Sequence, residues 1–335
     1  MKKKRYGIFF ILISLAILGL IWANIMLGSS EVGAGEIIRM FSGGNTDPMH
    51  ENIILSIRLP RALSAFLLGG ALALSGYLLQ TFFANPIVGP FVLGISSGAK
   101  LTVALAMIFF LSRGMDLGLN MMVISAFAGA ITAMLFVLII SVKVKNMSVL
   151  VICGIMVGYI CSAVTDFIVT FADDSNIINL HNWSMGSLSG INWDEIRMIT
   201  LIVGISLCLA IIIIKPMGAY RLGEAYAKSV GVNILLLRIM LIIVSSLLAA
   251  CVTAFAGPIS FVGIAVPHLA RSSLKTDEAQ VMIPASFLSG AAVTLFCDMI
   301  ARYVFAPTEV SISSVTAVLL VPVVIVMMIR RQKNG

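Results

Sequence analysis

Residues 58–86 read RLPRALSAFLLGGALALSGYLLQTFFANP. No side chain between Arg61 and Asn85 carries a charge, and as a helix that stretch covers about 30 Å, the thickness of a bilayer's hydrocarbon layer. A helix on the surface of a soluble protein needs a polar face, whereas the polar residues here are few and mostly small. Arginines in front and Asn85-Pro86 behind bracket the run, so it reads as one membrane span.

Working outward, similar runs recur along the 335 residues. They lie near 7–27, 90–110, 119–141, 148–171, 198–214, 236–256, 258–270, 281–304 and 311–329, which with 58–82 makes about ten spans. The run at 258–270 is short and holds Pro258 and Pro267, so a broken or tilted helix is expected there. The first run follows Lys2, Lys3, Lys4 and Arg5 but is longer than the apolar part of a cleaved signal, and reads as an uncleaved span. A composition 60% hydrophobic and 11% charged, with mean hydropathy +1.08, agrees with an all-α polytopic membrane protein and excludes a soluble domain. Residues 1–335 then form a single transmembrane domain, and Gly28 to Asn52, with Gly33, Gly35, Gly43, Gly44 and Pro48, reads as a loop.

Orientation follows from the basic residues, which are retained on the cytoplasmic side. Placing both termini inside leaves 15 of the 22 Lys and Arg in cytoplasmic segments and 6 outside, with Lys100 within a span. The external segments carry 10 acids, Glu31, Asp116, Glu195 and Glu309 among them. The sequence also echoes itself: Phe83-Ala84-Asn85-Pro86-Ile87 and Phe255-Ala256-Gly257-Pro258-Ile259 fall on opposite faces, as an inverted repeat of spans 2–5 and 7–10 would place them.

Catalytic and metal signatures are missing from this chain. There is no phosphate-binding loop, no His-Glu-x-x-His and no nucleophile elbow. Cys153, Cys161, Cys208, Cys251 and Cys297 all lie in apolar runs without Cys-x-x-Cys spacing, and His50, His181 and His268 are far apart. No cofactor and no metal is implied, and an intramembrane enzyme lacks the paired acids or Ser/His set it would need. Energy for transport must then come from an ion gradient or from a separate ATPase.

The longest cytoplasmic connection, 215–238, reads KPMGAYRLGEAYAKSVGVNILLLR. Gly223, Glu224, Ala225, Ala227 and Gly231 mark a short helix-forming stretch closed by glycine, a stub able to fill a partner's groove. The glutamate-alanine pair followed by glycine is similar to the coupling motif of ABC importer permeases. Further stretches resemble one family of these, the FecCD-type permeases that import iron-siderophores, haem and cobalamin: Arg58-Leu59-Pro60-Arg61, Gly69 to Gln80, Asn85-Pro86, Leu93 to Ala99, Gly257 to Gly263, Pro267 to Arg271, Asp298 with Arg302, and Glu309. Ala84 and the stretch Val310 to Ser313 depart from that family's usual residues.

The resemblance implies a homodimer or close heterodimer of ten-helix subunits in the bacterial inner membrane, in contact with lipid and with no nucleic acid. Two cytoplasmic ATPase subunits would dock at 215–238, and an extracellular binding protein would face Arg58, Arg61 and Arg302. The turn Asn146, Met147 and Ser148, after Lys145, would form the cytoplasmic gate. An ion-coupled secondary transporter is the alternative, resting on Lys100, Asp166 and Asp298 in or near spans. A charge at the bilayer centre costs about 2.5 to 3.5 kcal/mol on insertion scales, so each needs a reason. Asp298 has one in Arg302 a turn away; Lys100 and Asp166 are left as candidates for the path.

Overall fold

A computed structural model describes residues 2–27, 34–41, 47–111, 113, 119–144, 146–304, 306 and 308–333. The loop glycines Gly33, Gly43 and Gly44, the acids Glu31 and Asp116, and Lys145 lie outside these. Fifteen α-helices follow in chain order among the described residues: α1 (Lys2–Met26), α2 (Ala34–Phe41), α3 (Pro48–Asn52), α4 (Leu59–Phe82), α5 (Ile95–Leu111), α6 (Leu119–Lys143), α7 (Met147–Val169) and α8 (Asp174–Ser184). Then come α9 (Trp193–Ile212), α10 (Ile214–Arg221), α11 (Glu224–Ser229), α12 (Ile234–Ala256), α13 (Val262–Leu274), α14 (Ala279–Tyr303) and α15 (Ile312–Lys333). The described residues contain no strand.

Among the described residues, eight helices are long and apolar enough to cross a membrane: α1, the continuous run through α3 and α4, α6, α7, α9, α12, α14 and α15. The remaining two expected spans are shorter, with 17 residues in α5 and 13 in α13. In both cases backbone that is not α-helical precedes the helix, residues 83–94 before α5, with one 3₁₀ turn at Pro90–Leu93, and 257–261 before α13. Such backbone survives at membrane depth only when protein surrounds it and satisfies its polar groups. That condition is met: Val88, Gly89, Pro90 and Ile259 are buried, Ser187 donates to the Ala256 carbonyl at 2.8 Å and Ser313 to that of Pro258 at 2.5 Å. Gln80 of α4 reaches the Ile264 carbonyl at 3.1 Å, inside the first turn of α13.

The segment expected as loop between α1 and α4 contains the short helices α2 and α3, the latter capped by Asp47 and started at Pro48. α9 begins at Trp193, earlier than the apolar run, because Asn192 and Glu195 form a reciprocal capping box. The two echoed motifs each end a buried helix and lead through backbone that is not α-helical to a short one. Arg238 near the start of α12 meets Glu224, and the end of α4 lines the same cleft as Glu224, so α4 and α12 run in opposite directions and their echoed motifs lie at opposite ends.

Central to the bundle is α4, with 20 of its 24 residues buried; by contrast α1 buries only Ile17, Asn24 and Ile25. Lipid chains are as apolar as Leu, so helices in a membrane associate through close packing rather than a hydrophobic drive, and small residues permit it. On α4 the approach is backbone to backbone: a methyl group on Gly76 would overlap the Gly263 carbonyl of α13, and one on Gly69 would overlap Thr294 of α14. Gly204 of α9 faces open space. Gly76→Ala is therefore expected to lower the thermal stability of the purified protein by about 1 to 3 kcal/mol or more through overpacking, while Gly204→Ala raises it by up to about 1 kcal/mol through helix propensity; unfolding in detergent micelles measures both.

Candidate functional site

The polar chemistry divides between the two ends of the bundle. At the end where α4 and α13 finish, α10 and α11 form the connection that the sequence reading singled out. Gly223 adopts φ +121°, which a side chain would resist, and its carbonyl accepts the first bond of α11 from Ala227. Gly231, at φ +84°, closes the helix, and the Val232 N–H returns to the Ala227 carbonyl. Ala227 is wholly buried under this stub. Glu224 pairs with Lys228 one turn on and with Arg238 of α12, both at 2.9 Å. The hydrogen bond from Lys228, with Arg238 adding to it, holds the Glu224 carboxyl below the usual carboxylate range. A carboxyl lowered in this way stays ionised through neutral pH, so the tie between α11 and α12 is lost only in acid.

Leu222, Tyr226 and Val230 were not singled out by the sequence reading, yet all are exposed, Leu222 at 72%; Tyr226 lies on α11, and Leu222 and Val230 flank it. Beside this stub opens a cleft of about 540 Å³, lined by Ala84, Asn85, Arg221, Glu224, Arg271 and Asp277 among others.

The opposite end holds Arg58, Arg61 and Arg302, the residues expected to face an external partner. Within one copy of the chain each is at most 7% exposed and bonded to groups of the bundle. Arg61 donates from Nε and Nη2 to Asp298 Oδ1 at 3.1 and 3.0 Å, and from Nη1 to Glu309 at 2.9 Å. Arg302 pairs with the other oxygen of Asp298 at 3.2 Å and donates to Asn24 Oδ1 at 2.5 Å. Arg58 donates to the carbonyls of Ile25 and Met26 at 2.8 and 3.2 Å, filling acceptors that α1 leaves open at its end. Burial drives this inward turn, because a guanidinium away from water needs all its donors engaged. The Asp298–Arg302 pair expected from sequence is present; its extension to Arg61, 237 residues away, was not legible.

The residues expected at the gate and along the path lie at the two ends of α7 and on its neighbour α5. Asn146 caps α7 through its side chain, accepting from the Ser148 N–H at 2.9 Å. Asn146 and Ser148 are exposed and Met147 is half-buried. Asp166 sits toward the other end of α7 on an exposed face with Tyr159, Ile160 and Phe167. Lys100 is half-buried on α5, which meets α7 through Ser97 and Ser162 at 3.5 Å. No group of three His, Cys, Asp or Glu able to hold a metal occurs among the described residues.

The family model for the FecCD transport family matches residues 15–330. The chain belongs to that family. Among relatives of this FecCD permease, the Hemin transport system permease protein HmuU of Yersinia pestis is 31% identical over 334 residues, covering 99% of this chain and 98% of its own. The Vitamin B12 import system permease protein BtuC of Klebsiella pneumoniae is 33% identical over 282 residues, 84% of each chain. A solved structure of an inward-facing metal-chelate type ABC transporter superposes with a TM-score of 0.84 at 28% identity over 97% of this chain and 99% of its own. The FecCD permease is thus the membrane-spanning transport subunit of an ABC importer and not an enzyme, and its family implies ATPase and binding-protein partners.

Removing one partner from a buried ionic cluster typically costs about 3 to 5 kcal/mol. Asp298→Ala, which leaves Arg302 with no carboxylate and Arg61 with Glu309 alone, is expected to destabilise the permease by that amount in thermal unfolding. Reversing Arg58 and Arg61 to Glu should likewise reduce the yield of folded protein, not just binding-protein stimulation.

Proposed function

We propose that two copies of this permease, or one with a close homologue, form the membrane path of an importer for a large metal chelate: a ferric siderophore, haem or cobalamin. The relatives' named cargoes, haemin and vitamin B12, support that class. Two ATPase subunits dock at residues 215–238, an external binding protein delivers the chelate, and both termini face the cytoplasm of a bacterial inner membrane. The observation that carries the reading is α11, a stub outside the spans with Tyr226 exposed on it and Leu222 and Val230 exposed at its two ends. Exposed apolar side chains on a projecting stub fit a partner's groove.

The path runs along α7. Asp166 lies on its exposed face, where contact with hydrocarbon would be costly. Facing the second copy and the water-filled path between them removes that cost, with Lys100 nearby on α5 as a further lining residue. Asn146, Met147 and Ser148, at the other end of α7, form the cytoplasmic gate.

In proteoliposomes containing permease and ATPase, uptake of haemin, cobalamin or a ferric siderophore presented on the binding protein should require ATP and resist a proton ionophore. Tyr226→Glu should abolish co-purification of the ATPase while leaving membrane insertion intact. Uptake by the permease alone under a proton gradient would overturn this reading. In a background freed of native cysteines, Asn146→Cys or Ser148→Cys should cross-link between copies in at least one nucleotide state; cross-linking in none, with transport retained, would remove the gate from α7.

A further inference from the structure

Two separate tethers join the α10–α11 connection to the bundle. The first is Glu224, which engages Lys228 on its own helix and Arg238 on α12. The second is Arg221, the last residue of α10, and its reach is longer. Its guanidinium pairs with the Asp277 carboxylate and donates to the Asp277 backbone carbonyl, in the connection between α13 and α14. It also donates to the Tyr77 hydroxyl on α4 at 3.2 Å. Arg271, near the end of α13, holds the same carboxylate at 2.5 Å.

These contacts differ in kind. The Glu224–Arg238 pair, 41% and 19% exposed, is a single contact to one helix, and the Lys228 pair lies within α11 itself. The Arg221 side chain is 20% exposed and its fork is engaged on three acceptors at once, which fixes direction as well as distance. Tyr77 is wholly buried, so its ring cannot move without α4, and its neighbour Gly76 is where α4 touches α13 backbone to backbone. Toward α11 the link is equally short. Leu222 and Gly223 donate to the carbonyls of Ala219 and Tyr220, and Ala227 to that of Gly223, so Gly223 alone separates the last bonds of α10 from the first of α11.

We infer that Arg221 is the positioning residue through which displacement of the ATPase-docked α11 is delivered to the central helix α4, by Tyr77, and to α13 and α14, by Asp277. The inference rests on the proposed docking of the ATPase at α11. Packed helices have discrete arrangements rather than a continuum, so a rigid tie to α4 converts a small shift of the stub into a change of helix packing. Glu224, in this scheme, keeps α11 seated on α12, while Arg221 sets what moves with it.

The test uses the full chain assembled with its ATPase subunits in nanodiscs, comparing amide hydrogen exchange without nucleotide and with ATP plus vanadate. In the unaltered complex, nucleotide should change exchange at α11 and at the 77–83 end of α4. Arg221→Ala, in complexes that still assemble with the ATPase, should lose the response at 77–83 while α11 still responds. Tyr77→Phe, which removes one hydroxyl and keeps the buried ring, should reproduce that loss without disturbing assembly. An unchanged response at 77–83 in the Tyr77→Phe complex, or in an assembled Arg221→Ala complex, overturns the inference and leaves ATPase docking standing. No nucleotide response at α11 in the unaltered complex overturns the docking reading and this inference with it.

Discussion

At Gly76 and Gly69 the backbone of α4 meets α13 and α14 with no room for even a methyl group. In a medium that gives apolar side chains no reason to leave it, such close packing is the main source of helix association. Other features follow from it. Because α4 is enclosed, the irregular backbone before α5 and α13 can lie within the bundle, where Ser187 and Ser313 satisfy the carbonyls of Ala256 and Pro258. Because α4 is fixed at its centre, a force applied at one end reaches the helices packed around it.

The two ends of α4 carry different electrostatics. Arg61, Asp298, Arg302 and Asn24 form a closed cluster among α1, α4 and α14, with little exposure and few donors left free. A buried arrangement of that sort fixes register, and breaking it strands a charge. At the other end, Arg221, Arg271 and Asp277 are part-exposed beside a cleft, where water can replace a lost partner at modest cost. One end is therefore suited to holding the helices and the other to moving them. Asp166, on the exposed face of α7, belongs to neither cluster.

Sequence by itself determined the all-helical membrane architecture, the family, and the α10–α11 stub, because these depend on local composition, on the length of apolar runs and on short contiguous motifs. Capping signals such as Asn192 with Glu195 belong to the same class. The structure alone decided what Arg58, Arg61 and Arg302 do. Their motif is legible, but whether an arginine at a helix end faces water or the bundle depends on acceptors far away in the chain, here Asp298, Glu309, Asn24 and the end of α1. The exposure of Leu222, Tyr226 and Val230 is of the same kind: in a chain this apolar, three more apolar residues carry no contrast until the fold leaves them uncovered. The run at 258–270, with Pro258 and Pro267, already announced the shortness of α13; that of α5 was decided by the fold, since backbone outside an α-helix is tolerable only where other helices supply its hydrogen bonds. Local periodicity sets which segments become helices; the pairing of groups hundreds of residues apart, which a single sequence does not encode locally, sets which side chains remain available to a partner.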